Sequence, residues 1–156
     1  MNKNAYAGNR RGFLAAVLGA GGVLAANAGS ADAAVVVSPA DEANVKVVRD
    51  FCAAWATHDL GRVMGFFAEN PSYRMTETQE PTKGREPVEA RIKSFINNVQ
   101  QFEVLDTYAR GPMVITERID HFTNFQLKNW HGVGVFWVKE GKIVEWSDYT
   151  MSTTRA

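Results

Sequence analysis

The chain has 156 residues, 46% of them hydrophobic and 22% charged, with a formal charge of zero. That is the size of one domain with at most a short appendage, and the composition is that of a globular protein rather than a disordered one. Balanced charge gives no basic footprint for nucleic acid, and a lone cysteine, Cys52, rules out an internal disulfide or a cysteine-built metal cluster.

Residues 1–33 stand apart in composition. Lys3, Arg10 and Arg11 precede Gly12-Phe13-Leu14, and an uncharged run of Ala, Gly, Val and Leu continues to Ala28. Ala31-Asp32-Ala33 then places small residues at signal-peptidase spacing. Asn9-Arg10-Arg11-Gly12-Phe13-Leu14 resembles a bacterial twin-arginine export signal. The run is shorter and less apolar than a membrane-spanning helix of about 20 residues. The expectation is export to the periplasm, cleavage near Ala34, no stable membrane anchor, and a mature domain over 34–156. Cleavage removes three basic residues and one acidic one, leaving a formal charge of −2.

In the mature domain, Ser38-Pro39 with Asp41 and Glu42 predicts a capped helix start. Val45, Val48, Phe51, Cys52 and Trp55 give that helix one apolar face, with Cys52 as a small core residue. His58-Asp59 breaks and re-caps the chain. Leu60, Val63, Met64 and Phe67 predict a short second helix, ended by Asn70-Pro71. Ser72–Met75 predicts a first strand, Thr78–Gly84 a polar loop, and Arg85–Val99 a third helix with Val88, Ile92, Phe95 and Ile96 inward. Four more strands are expected near 102–110, 112–122, 127–138 and 142–150, with tight connections at Gly111-Pro112 and Glu140-Gly141. The expected fold is α+β: three helices on one face of a curved, mostly antiparallel sheet.

Two of these strands carry the chemistry. Side chains two apart in a strand share a face. Arg118 therefore shares a face with Asp120, and Val144 and Trp146 share one with Asp148. A carboxylate ending an apolar row is unexpected. Two aspartates and an arginine on one apolar cavity make an acid–base site that needs no metal. Burial raises both carboxyl pKa values, the guanidinium lowers them, and mutual repulsion leaves one proton on the pair. The same grouping also occurs as a purely structural ion network.

Glu117-Arg118-Ile119-Asp120 and Glu140-Gly141-Lys142-Ile143-Val144-Glu145-Trp146-Ser147-Asp148-Tyr149 resemble the strand motifs of the limonene-1,2-epoxide hydrolase family. That family belongs to the cone-shaped superfamily of nuclear transport factor 2, ketosteroid isomerase and SnoaL-like proteins. The resemblance covers most of 42–150. It implies a cofactor-independent epoxide hydrolase that adds water to a small apolar epoxide. Asp120 would be the general acid, Asp148 the base, Arg118 the group holding both, and Tyr73 a holder of the attacking water. Trp146, Met75, Phe122 and His131 would line the pocket. Met75 stands where the family has a water-binding asparagine, so Asn97, Asn98 or a shifted loop would have to supply an amide. A ketosteroid-isomerase-like or SnoaL-like isomerase or cyclase is the alternative enzyme, and a non-catalytic binding or dimerisation module is the alternative outside catalysis.

The remaining candidates carry no chemistry of their own, and for His121 and His131 a pocket-lining or core role fits better than a metal site. His58 belongs to the turn, and His121 and His131 have no partner at metal-ligand spacing. Trp130, Trp137 and Trp146, with Phe122, Phe125 and Phe136, read as core, with some lining any cavity. Lys83, Arg85, Glu86, Glu89, Arg91 and Lys93 read as a solvated helix face. Apolar residues on both faces of one strand (Val133, Val135 and Trp137 against Phe136 and Val138) predict a homodimer through the sheet.

Overall fold

A computed structural model describes residues 37–123 and 126–155. The expected export signal and Phe125 lie outside them.

Helix α1 (Pro39–Ala54) starts on a complete capping box, with the Ser38 hydroxyl accepting from the Asp41 amide and the Asp41 carboxylate accepting from Ser38. It buries Val48, Phe51, Cys52 and Ala54. A single 3-10 turn (Trp55–Thr57) ends at His58, whose φ of 55° is left-handed. Asp59 then caps α2 (Leu60–Met64) by accepting from the Arg62 amide. The expected second helix is shorter than its apolar spacing suggested. Phe67 opens strand β1 (Phe67–Arg74), and Pro71 lies inside that strand. The strand tolerates it because the β1 register shifts between Phe67 and Ser72, where an absent N–H breaks no regular ladder bond.

Within the expected polar loop, the two-residue strand β2 (Thr82–Lys83) pairs with β1. Helix α3 spans Arg85–Lys93, and the chain leaves it through a 3-10 turn at Ile96–Asn98, so the third helix ends earlier than predicted. The meander follows as β3 (Val99–Arg110), β4 (Met113–Phe122), β5 (Leu127–Lys139) and β6 (Lys142–Arg155). Glu140 and Gly141 both take positive φ, 51° and 72°, as a tight hairpin turn demands.

The sheet order is β2-β1-β6-β5-β4-β3. Every pairing is antiparallel except β1 with β6. The fold is therefore the expected α+β architecture with a mixed, mostly antiparallel sheet and three helices.

The core lies between the helices and one sheet face. Phe51 is its hub, meeting Trp55, Phe66, Phe67, Phe136 and Trp146 edge-on. Strict alternation puts Val114, Thr116, Arg118 and Asp120 of β4 inside and Ile115, Glu117, Ile119 and His121 outside. In β6 the alternation slips. The β5–β6 register shifts between Trp137 and Val138, so Val144 is an extra residue and Ile143 takes the inward place expected of it. The inward row is Ile143, Trp146, Asp148.

Candidate active site

Arg118 and Trp146 are fully buried, and Asp120 and Asp148 nearly so. Arg118 Nε donates to Asp120 Oδ1 at 2.8 Å and Nη2 to Asp120 Oδ2 at 3.3 Å. Nη2 also donates to Asp148 Oδ1 at 2.9 Å. One guanidinium thus holds a carboxylate from its own strand and one from β6. The Trp146 indole N–H adds a second donor to Asp148 Oδ1 at 2.7 Å. With Oδ1 doubly occupied, Oδ2 is the Asp148 oxygen left for a water.

The guanidinium is also caged by aromatic faces. Its carbon lies 4.9 Å from the ring centres of Phe102 and Trp130 and 5.4 Å from that of Trp146. Nη1 is buried without a hydrogen-bond partner. It packs over Gly134, where a Cβ would collide with Nη1 and crowd Asp148. Gly132 makes the same kind of room for the Trp130 indole.

Burial sets the protonation. Loss of water raises Asp120 from 3.8 to about 7, opposed by Arg118 and reinforced by Asp148. Burial raises Asp148 from 3.8 to about 6, opposed by Arg118 and by the Arg118 and Trp146 hydrogen bonds. Burial works against the charge on Arg118, but the two carboxylates outweigh it and hold its pKa above the ordinary value. Burial and the Asp148 charge push the Tyr73 phenol well above its ordinary value, so it stays a neutral hydroxyl. Cys52, buried nearby, is pushed up to about 12 by burial and is not a thiolate.

The cluster forms one end of a cavity of about 320 Å³. Asp120 and Asp148 line it together with Tyr73, Met75, Phe122 and Trp146. Tyr73 is set by the parallel β1–β6 pairing, which puts it beside Trp146, ring centres 4.0 Å apart and stacked. Seven of the eight expected site residues are thus brought together. His131 is not. It lies on the outward face of β5 and meets Glu117 at 2.8 Å, because alternation from buried Trp130 points it away. Neither Asn97 nor Asn98 lines the cavity, so neither supplies the missing amide.

Two groups of functional residues escaped the sequence reading. Gly132 and Gly134 are one; their spacing of two on a strand is a legible signal for close approach on one face. The other is Arg91, expected on a solvated helix face, which lines the cavity with Ser94 and Phe95. Arg85 also leaves that face, donating to the carbonyls of Met64 and Ala68.

A family model for the SnoaL-like domain matches residues 48–146. Solved structures of similar fold include an LEH-like epoxide hydrolase from M. tuberculosis, 23% identical, with TM-score 0.64 over 72% of this chain and 85% of that one. A protein provisionally assigned as a ketosteroid isomerase from Kribbella flavida DSM 17836 is 16% identical, with TM-score 0.62 over 74% and 83%. Another, provisionally assigned as a SnoaL-like polyketide cyclase from Jannaschia sp. CCS1, is 12% identical, with TM-score 0.63 over 73% and 89%. At these identities the likeness is one of fold.

Proposed function

The chain belongs to the SnoaL-like domain family, and from that premise we propose that it is a cofactor-independent epoxide hydrolase. The observation that carries this reading is the single guanidinium shared by two buried carboxylates, both with raised proton affinity. Opening an epoxide needs an acid at the ring oxygen and a base behind the ring carbon at the same pH. The resemblance of the strand motifs makes Asp120 the acid, carrying the proton that burial keeps on the pair. Its longer contact to Arg118, through Oδ2, marks the oxygen able to hold it. Asp148 accepts a proton from a water held at Oδ2 and the Tyr73 hydroxyl. The water oxygen bonds to carbon as the ring C–O bond breaks, and the Asp120 proton passes to the ring oxygen. Proton exchange through solvent then restores the pair.

The pair must hold one proton, so activity falls on the alkaline side as the pair loses that proton and on the acid side as it takes up a second, both steps lying above the ordinary carboxylate range because burial raises both groups. A single turnover in oxygen-18 water with excess enzyme tests the route. Direct attack labels the diol at once. Label found in an Asp148 peptide, with unlabelled diol, contradicts it.

A second reading is an isomerase or cyclase that moves a proton next to a carbonyl. Met75, where the hydrolase pattern has a water-binding amide, favours it. A panel of epoxides and enones separates the two: a mass gain of one water selects hydrolysis, and turnover without mass change selects isomerisation. We also propose export through the N-terminal signal and a homodimer through the outer sheet face, which exposes Tyr108, Trp137, Tyr149 and Met151. Cell fractionation and light scattering check these.

A further inference from the structure

Arg91 is the one feature of the cavity that the hydrolase chemistry leaves unused. It stands one helical turn before Ser94 near the end of α3, and both line the cavity; its charge also reaches Tyr73. Among the described residues, its guanidinium makes one hydrogen bond, a marginal one from Nη2 to Gln79 Oε1 at 3.5 Å. No carboxylate among the described residues lies within 4 Å of its guanidinium. Arg85, on the same helix, is by contrast tied to backbone carbonyls. Arg91 is half-buried, so its charge is partly shielded from water.

The charge around the cavity follows from the groups already described. Asp120 and Asp148 together with one proton carry −1, and Arg118 cancels it. Arg91 is then the uncompensated charge, and the cavity is net +1. The rest of the wall is mainly apolar: Phe102, Phe122, Leu127, Trp130 and Trp146. A volume of about 320 Å³ corresponds to about ten water-sized groups.

We propose that the substrate is amphipathic: an apolar body carrying the reacting group toward Asp120 and Asp148, and a carboxylate held by Arg91 where α3 lines the cavity. A planar carboxylate matches a guanidinium fork in two parallel hydrogen bonds, and its single negative charge balances the cavity. A phosphate would bring a second charge that no further described cation on this wall meets. The proposal rests on the hydrolase reading for the reaction but not for the binding, and its test uses ligands that cannot react.

The experiment titrates octanoate and octanamide, equal in length and differing in charge, into the protein while following its intrinsic tryptophan fluorescence, to which Trp130 and Trp146 in the cavity wall contribute. Octanoate should bind about tenfold tighter than octanamide at low salt, and the preference should shrink as salt screens the pair. Arg91→Gln should abolish the preference, and Arg91→Lys should keep part of it. Equal affinity of the two ligands for the unsubstituted protein overturns the proposal. So does an octanoate preference that survives in Arg91→Gln. Turnover of neutral epoxides with no carboxylate preference would leave the hydrolase standing and remove this inference. A carboxylate preference without opening of any epoxide would do the reverse.

Discussion

The two faces of β4 carry polar side-chain pairs of nearly the same length in opposite surroundings. Inward, Arg118 meets Asp120 at 2.8 Å and Asp148 at 2.9 Å, all buried. Outward, His131 meets Glu117 at 2.8 Å, and His121 meets Glu103 at 2.8 Å, with all four side chains partly exposed. Distance does not separate the two sets; water does. On the outer face solvent screens each charge and replaces any lost partner. On the inner face an unpaired charge has only aromatic rings and a cysteine for company, so each member depends on the others. The same burial makes the inner set chemically useful, because it keeps a proton on a carboxyl near neutral pH.

The largest effect expected from breaking this contrast is at Arg118. Arg118→Gln leaves two buried carboxyls without their cation and should cost about 3–5 kcal/mol of stability, read by urea denaturation. Next come Asp120→Asn and Asp148→Asn. Each should lower turnover roughly a thousand-fold, with the double variant little worse than either single one, because the pair acts as a unit.

A pH experiment sharpens the comparison further. Both aspartates have folded-state values above the unfolded 3.8, so the native state holds protons that the unfolded chain releases. Their contribution to stability is full below about pH 4 and is lost as pH rises through about 6 and about 7. Denaturation midpoints between pH 4 and 8 should show this decline, and Asp120→Asn should lack its share of it. The smallest effect belongs to the outer face. At protein concentrations where the chain is monomeric, Glu117→Gln or His131→Ala should change stability by less than about 1 kcal/mol. A larger loss in either would show that the outer face is covered by something that excludes water.

Much of this could be read from the chain because strand alternation is a strong rule. Arg118 with Asp120, and Trp146 with Asp148, followed from spacing alone. The helix starts at Ser38 and Asp59 followed from cap chemistry, as did the turn at Glu140-Gly141. The misses share a cause: local pattern does not report what a distant segment does. Phe67 fits a helical spacing, but its place is decided by Ile143 across the parallel pairing. Val144 left the inward row because a bulge, invisible in composition, took up one residue. His131 was assigned to the pocket by likeness, whereas counting from Trp130 puts it on the other face. Arg91 looks like any exposed helical charge until the cavity beside α3 is known.

The parallel seam between β1 and β6 has a consequence in time as well as space. It joins Tyr73 to Trp146, residues far apart in the chain, and β6 follows the other described strands in sequence. Before β6 docks, Arg118 holds only Asp120, Asp148 is absent, and Tyr73 has no ring to stack on. Long-range closure of this kind is the slow part of forming a sheet. The pairing that brings β6 beside β1 is therefore also the one that assembles the proposed site, and a chain truncated before Lys142 would lack both Trp146 and Asp148.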